Sequence, residues 1–277
     1  MSATEVDQAL SAARAQGLDR LDAQLLLSDA LGRPRSWLLA HGEHALEPAQ
    51  ALRFAALCAR RADGEPVAYL LGEKEFHGLT LRVDHSVLVP RPETETLVDW
   101  ALELLAAGPD RPAVADLGTG SGAIALALAR SSPAAQVCGV DVSPAALAVA
   151  RANAGSLGLA VEWLHSDWWS ALEGRRFDMV VANPPYIAAD DPHLAALRHE
   201  PQLALTPGDD GLAALRILIA GAPAHLQPGG WLLLEHGHDQ AEAVRDLLCR
   251  HEFAVPLARC DLAGRPRCSA GRLAAQV

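Results

Sequence analysis

The chain has 277 residues, half of them hydrophobic, and a formal net charge of −11. It therefore holds enough apolar material for one large domain and a small one, and it offers no broad basic face to nucleic acid. Its five cysteines (Cys58, Cys138, Cys249, Cys260 and Cys268) include no C-x-x-C pair, which fits a reducing compartment and argues against a disulfide framework or a zinc site.

From about Thr4 to Arg61 the apolar residues recur at helical spacing, through Leu10, Ala13, Leu21, Leu25, Leu38, Leu52 and Ala56. Breaks at Gly17, Gly32-Arg33-Pro34 and Glu47-Pro48 divide this stretch into several short helices, so residues 1–64 are expected to form a small helical bundle. Residues 65–86 read as an extended or hairpin linker around His77-Gly78. From about Val87 onward the grammar changes to strand-helix alternation, which makes residues 87–277 an α/β domain with a mostly parallel sheet.

Within that domain the expected strands are Ala113 to Leu117, Ala135 to Val142, Val161 to His165, Asp178 to Ala182 and Trp231 to Glu235. The expected helices are Ala123 to Arg130, Ser143-Pro144 to about Leu157, Gly211 to Leu226 and Gln240 to Arg250. Ser143 reads as an N-cap and Pro144 as a first-turn proline. Segments near Phe253 to Ala258 and Cys268 to Leu273 complete the chain as an antiparallel edge pair. The start carries acidic Glu5 and Asp7 where a signal peptide would be basic, and no apolar run reaches the roughly 20 residues of a membrane helix. A cytoplasmic protein without membrane partners is expected.

Gly118-Thr119-Gly120-Ser121-Gly122 lies between the first sheet strand and its helix. Glycines at alternate positions let the backbone turn sharply and approach a ligand, and the helix start behind them favours an anionic group. The spacing is G-x-G-x-G, not the G-x-G-x-x-G of dinucleotide folds. Asp141 ends the second strand about 20 residues on, where a carboxylate accepts both hydroxyls of a ribose. Asp167 and Trp168 follow the third strand; Asp167 can accept an adenine amino group and Trp168 can cover the ring. The combined pattern reads as an S-adenosylmethionine site on a class I methyltransferase fold.

Asn183-Pro184-Pro185-Tyr186 closes the next apolar strand. Two consecutive prolines end the ladder and fix the bend, so the Asn183 side chain and the Asn183 and Pro184 carbonyls project at the strand's carboxyl end. Rigid acceptors at that place suit the hydrogens of a planar –NH2 group. Glu93 and Glu95 are explained as first-turn helix acids after Pro92. His236 and His238 read as structural, and no metal is expected.

The chain resembles the release factor glutamine N5-methyltransferase family, the HemK/PrmC type. The resemblance rests on Glu65 to Gly72, Val89-Pro90-Arg91-Pro92-Glu93-Thr94-Glu95, Asp116 to Gly122, Asn183 to Tyr186 and Leu234-Glu235-His236-Gly237, and it covers nearly the whole length. Asn-Pro-Pro-Tyr also occurs in DNA adenine-N6 methyltransferases, whereas the Pro-Arg-Pro-Glu-Thr-Glu segment is particular to the glutamine-modifying family. Asp261 to Arg265 also matches; Pro266-Arg267-Cys268 departs from a regular strand and leaves the pairing there open.

The resemblance implies methylation of the glutamine side chain in the Gly-Gly-Gln motif of peptide chain release factors, with the N-terminal bundle docking the substrate protein. For such a substrate, Asn183 and Pro184 are expected to accept the amide hydrogens, with Pro184 and Pro185 keeping these acceptors fixed and Tyr186 packing on the amide. Asn183 also borders the cofactor. A DNA or RNA adenine-N6 methyltransferase using the same motif is the alternative, and a catalytically silent cofactor-binding scaffold is another.

Overall fold

The computed structural model describes residues 4–274. Residues 1–3 and 275–277, which belong to the domains expected at 1–64 and 87–277, lie outside the described residues. The chain divides into two compact units, Met1–Glu73 and Lys74–Val277.

The first unit is built from helices α1 (Val6–Ala15), α2 (Arg20–Leu31), α3 (Arg35–Ala40), α4 (Pro48–Ala62) and α5 (Val67–Leu71). Local chemistry fixes the ends. Asp19 accepts the Leu21 N–H to cap α2, Gly32 closes it with φ 62°, and Glu47 with Gln50 forms a capping box around Pro48 at the start of α4. Leu26, Leu27, Leu38, Phe54 and Leu57 make its core. Three of its arginines are engaged within the unit: Arg61 pairs with Asp22 at 2.7 Å, Arg60 with buried Glu65, and Arg35 donates to Gln24 at 2.8 Å.

Helix α5 corrects the expectation of an extended linker over 65–86. Pro66 precedes it, Gly72 caps it with φ 76°, and five residues are too few for a helical period to register in the sequence. The hairpin that follows, β1 (Glu73–Phe76) and β2 (Leu79–Arg82), is as read. His77 and Gly78 both have positive φ (50° and 74°), as a two-residue type I′ turn requires.

The second unit is a seven-stranded sheet. Its strands are β3 (Ala113–Leu117), β4 (Gln136–Asp141), β5 (Glu162–His165), β6 (Phe177–Ala182), β7 (Leu226–Glu235), β8 (Phe253–Cys260) and β9 (Pro266–Leu273), in spatial order β5-β4-β3-β6-β7-β9-β8. The first five are parallel, and β9 and β8 are antiparallel, so the edge pair forms as expected. Pairing continues through the irregular Pro266 end, with a register shift at Arg259/Cys260. Strand β7 starts five residues before the expected Trp231. It absorbs Gly229 and Gly230 in an irregular stretch, where a Cβ on Gly230 would sit 3.1 Å from the Asp178 carbonyl oxygen.

Helices α6 (Glu95–Leu105), α7 (Ala123–Ser131), α8 (Pro144–Leu157), α9 (Ala213–His225) and α10 (Ala241–Arg250) complete the unit. Strand residues alternate between two buried clusters. Val114, Met179, Val181 and Leu233 pack with α6 and α7, whereas Ala115, Leu117, Val180 and Leu232 pack with α9 and α10. The Ser143 hydroxyl accepts the Ala146 N–H at the start of α8, behind Pro144. The chain runs outward from β3 to β5 and resumes at β6 on the other side of β3. The β3–β6 seam is therefore the topological switch point, the place where such sheets bind ligands at the strands' carboxyl ends.

Candidate active site at the switch point

The loop after β3 is folded by its own backbone. Gly118 and Thr119 donate to the Val140 carbonyl at 3.0 and 2.9 Å, and Gly122 donates to Thr119 at 2.8 Å. Gly118, Gly120 and Gly122 have φ of 74°, 56° and 83°, all in the left-handed region. Nothing lies within 4 Å of where a Cβ on Gly120 would stand, whereas one on Gly122 would meet Trp163 at 2.9 Å. Gly120 is thus kept for its conformation and an open floor, and Gly122 for packing.

Asp116 is fully buried beneath this loop. Its Oδ2 accepts the Thr119 hydroxyl at 2.6 Å and the Ala125 N–H at 3.2 Å, while Oδ1 has no partner. Burial pushes its pKa up to about 7. Asp141 ends β4 and braces the loop from the side. Its Oδ2 accepts the Gly120 N–H at 2.9 Å and Oδ1 the Ser143 N–H at 2.8 Å. Burial raises its pKa, against the lowering effect of these backbone donors.

After β5, the Ser166 hydroxyl donates to the Trp168 carbonyl at 2.8 Å and the Ser170 hydroxyl accepts the Asp167 N–H at 3.1 Å. Trp168 sits at φ 46°, a conformation that bulky residues rarely adopt. Its ring lies 3.4 Å from where a Cβ on Gly118 would be, so glycine there makes room for it. Trp169 faces elsewhere, stacked on His225.

Asn183 follows β6, and its Nδ2 donates to the Thr94 hydroxyl at 3.1 Å. The Tyr186 hydroxyl donates to Glu235 Oε1 at 3.3 Å, and the Tyr186 carbonyl accepts from Gln240 at 3.0 Å. Glu235 is 1% exposed and its Oε2 has no hydrogen-bond partner. Burial pushes its pKa up to about 7 and raises that of the Tyr186 hydroxyl as well. His236, also buried, donates its Nδ1–H to the Gly237 carbonyl and pairs through Nε2 with the Ser269 hydroxyl, at 2.8 Å each, and burial lowers its pKa.

A cavity of about 440 Å3 joins these parts, within the range of ligand sites. Gly118, Thr119, Gly120, Ser121, Asp141, Asp167, Trp168, Asn183 and Pro185 line it. Gly122, Pro184 and Tyr186 do not, and of these Pro184 is buried. Two segments to which the sequence assigns no part in the site form its rim, Ser86 to Arg91 and Pro201 to Pro207. Three of its lining residues, Val142, Leu203 and Ile217, are large exposed hydrophobics. Thr94 and Glu235 also escaped sequence reasoning; their only signal was membership of motifs read for other residues. Among the described residues no group of three or more His, Cys, Asp or Glu side chains is placed to hold a metal ion, and no helix is long and apolar enough to cross a membrane.

The family model "PrmC N-terminal domain" matches residues 4–72 and "Methyltransferase small domain" matches residues 95–200. The release factor glutamine methyltransferase of Xylella fastidiosa is 52% identical over 95% of this chain and 97% of its own. That of Pseudomonas aeruginosa is 50% identical over 92% and 93%. Among solved structures, the T. thermophilus 16S rRNA N2 G1207 methyltransferase, in complex with AdoMet and guanosine, superposes with a TM-score of 0.54 at 24% identity. It covers 73% of this chain and 49% of that one. This second likeness shows the class I methyltransferase fold alone. The chain belongs to the release factor glutamine methyltransferase family.

Proposed function

We propose that the cavity binds S-adenosylmethionine and that Asn183 presents the glutamine amide of a release factor's Gly-Gly-Gln motif to the methyl group. The observation that carries this reading is the Asn183–Thr94 hydrogen bond. With Nδ2 held by Thr94, the acceptor Oδ1 is left for a substrate, in the same cavity as the glycine loop and Asp141.

The residues present fit the cofactor. The open floor at Gly120 leaves room for a ligand's close approach, Asp141 supplies a carboxylate for ribose hydroxyls, and Asp167 and Trp168 supply an acceptor and an apolar face for adenine. Thr119 and Ser121 complete the loop that takes the amino-acid part, with Gly122 anchoring it. When bound, S-adenosylmethionine supplies an activated methyl group on a sulfonium.

The amide nitrogen is a poor nucleophile because its lone pair is shared with the carbonyl. Asn183 Oδ1 and the Pro184 carbonyl each accept one amide hydrogen, which orients the nitrogen and favours positive charge developing on it. Pro185 keeps these acceptors in place, and Tyr186, held by Glu235, packs beside the amide and excludes water. The helical unit Met1–Glu73 acts as the docking domain for the release factor, and the unit Lys74–Val277 as the methyltransferase domain. The net charge of −11 speaks against nucleic acid as the acceptor, and a release factor substrate places the work in the cytoplasm.

The test is methyl transfer from labelled S-adenosylmethionine to an unmodified release factor, beside its Gly-Gly-Gln glutamine-to-alanine variant and DNA. Label in the unmodified factor alone is expected. Label in DNA alone would overturn the substrate assignment and leave the cofactor site standing.

A further inference from the structure

A carboxamide has nearly the same shape in its two flipped orientations, but only one presents an acceptor to a substrate –NH2 group. Asn183 is held in that orientation through Nδ2, at 3.1 Å from Thr94 Oγ1. A hydroxyl that accepts this bond still carries a proton of its own. Thr94 is 4% exposed, and although it precedes α6 its side chain makes no capping bond to that helix. Its proton is therefore not spent on the backbone there, and a buried donor needs an acceptor.

The acceptor faces it. The Thr94 side chain favours the ionised form of Glu235, and Oε2 of that carboxyl ends buried without a hydrogen bond, while Oε1 takes the Tyr186 hydroxyl. We propose that Glu235 is a positioning residue: as an anion it polarises Thr94, which then accepts from Asn183 Nδ2 and so fixes Asn183 Oδ1 toward the substrate amide. The same carboxylate holds Tyr186, so one buried group organises both ends of the Asn183–Tyr186 segment. A protonated Glu235 could instead donate to Thr94 and let Asn183 turn over. The inference rests on the role given to Asn183 above.

Burial opposes the anion and raises the Glu235 pKa to about 7. Of the other groups facing it, Glu93 raises it further, while Arg267 from β9 and the two hydroxyls lower it; Cys268 lies opposite it on β9. Turnover should therefore rise with pH through about 7.

The experiment measures kcat, cofactor Kd and thermal unfolding for Thr94→Val, Thr94→Ser, Glu235→Gln and Asn183→Ala, with release factor as substrate. Thr94→Val and Glu235→Gln are expected to lower kcat at least about tenfold with Kd within about twofold, and Thr94→Ser to keep kcat within about threefold. The rise in kcat through about pH 7 should disappear in Glu235→Gln. A fully active Thr94→Val, a Thr94→Ser as poor as Thr94→Val, or an unchanged pH profile in a folded Glu235→Gln would overturn the proposal. If Glu235→Gln does not fold, the valine and serine pair decides. An active Asn183→Ala would instead overturn the role of Asn183 itself; an inactive one beside an active Thr94→Val removes only the relay.

Discussion

Arg91 and Glu200, 109 positions apart, form an ion pair that ties the two rim segments of the cavity together. The Glu200 side chain is 2% exposed and also accepts the Val89 N–H at 3.0 Å. Arg91→Ala leaves that carboxylate buried with a backbone donor and no cation. Because the arginine itself is about a third exposed, the expected loss is at the lower end for a broken buried pair, about 2–3 kcal/mol of unfolding free energy. Urea unfolding measures it, and a loss below about 1 kcal/mol would show that the rim does not depend on this pair.

Asn183→Ala removes one fixed acceptor and little of the fold. It should bind cofactor as the parent does and lose at least about a hundredfold in turnover, the size of a lost oxyanion-hole donor. Near-normal single-turnover methylation would remove Asn183 from the mechanism.

The glycine loop separates folding from binding. Gly122→Ala places a Cβ 2.9 Å from Trp163 and 3.1 Å from Leu126 at φ 83°, so a destabilisation of about 2 kcal/mol is expected. Gly120→Ala meets no protein atom and should cost about 1 kcal/mol of backbone strain, yet weaken cofactor binding more than Gly122→Ala does. Denaturation midpoints and calorimetric titration of both variants check the order, which a reversal would refute.

The buried carboxyl of Asp116 predicts a direction for stability against pH. Its pKa stands at about 7 in the fold against 3.8 for a free side chain. The folded protein thus holds the proton more tightly, and the stabilisation is full below about pH 4 and lost as pH rises through about 7. Glu235 acts in the same sense from 4.5 to about 7. Asp116→Asn should flatten part of the decline in urea midpoint between about pH 4 and 7. A decline as steep as in the parent would show that Asp116 is ionised throughout.

Features written in consecutive residues were legible in the sequence. The glycine spacing, the strand-ending Asp141 and the Asn183 bend each announce themselves locally, and the strand-helix alternation implies the parallel sheet that gathers them. Features made by distant residues were not legible. Thr94 reads as part of a helix start between two acids, and only the fold brings it to Asn183, 89 positions away. Gly122 follows the same spacing rule as Gly118 and Gly120, but Trp163 decides what it is for. Helix α5 is shorter than two turns, so no periodicity could separate it from an extended segment.

Strand β7 inserts between β6 and β9, and it ends on Glu235, which accepts from the Tyr186 hydroxyl. During synthesis, a nascent chain that has emerged only as far as β6 already contains the glycine loop, Asp141 and Asn183. It still lacks the neighbour that flanks β6 and the carboxyl that faces Thr94. Every residue that lines the pocket is already present by Ile217, so what β7 adds is the support behind that lining.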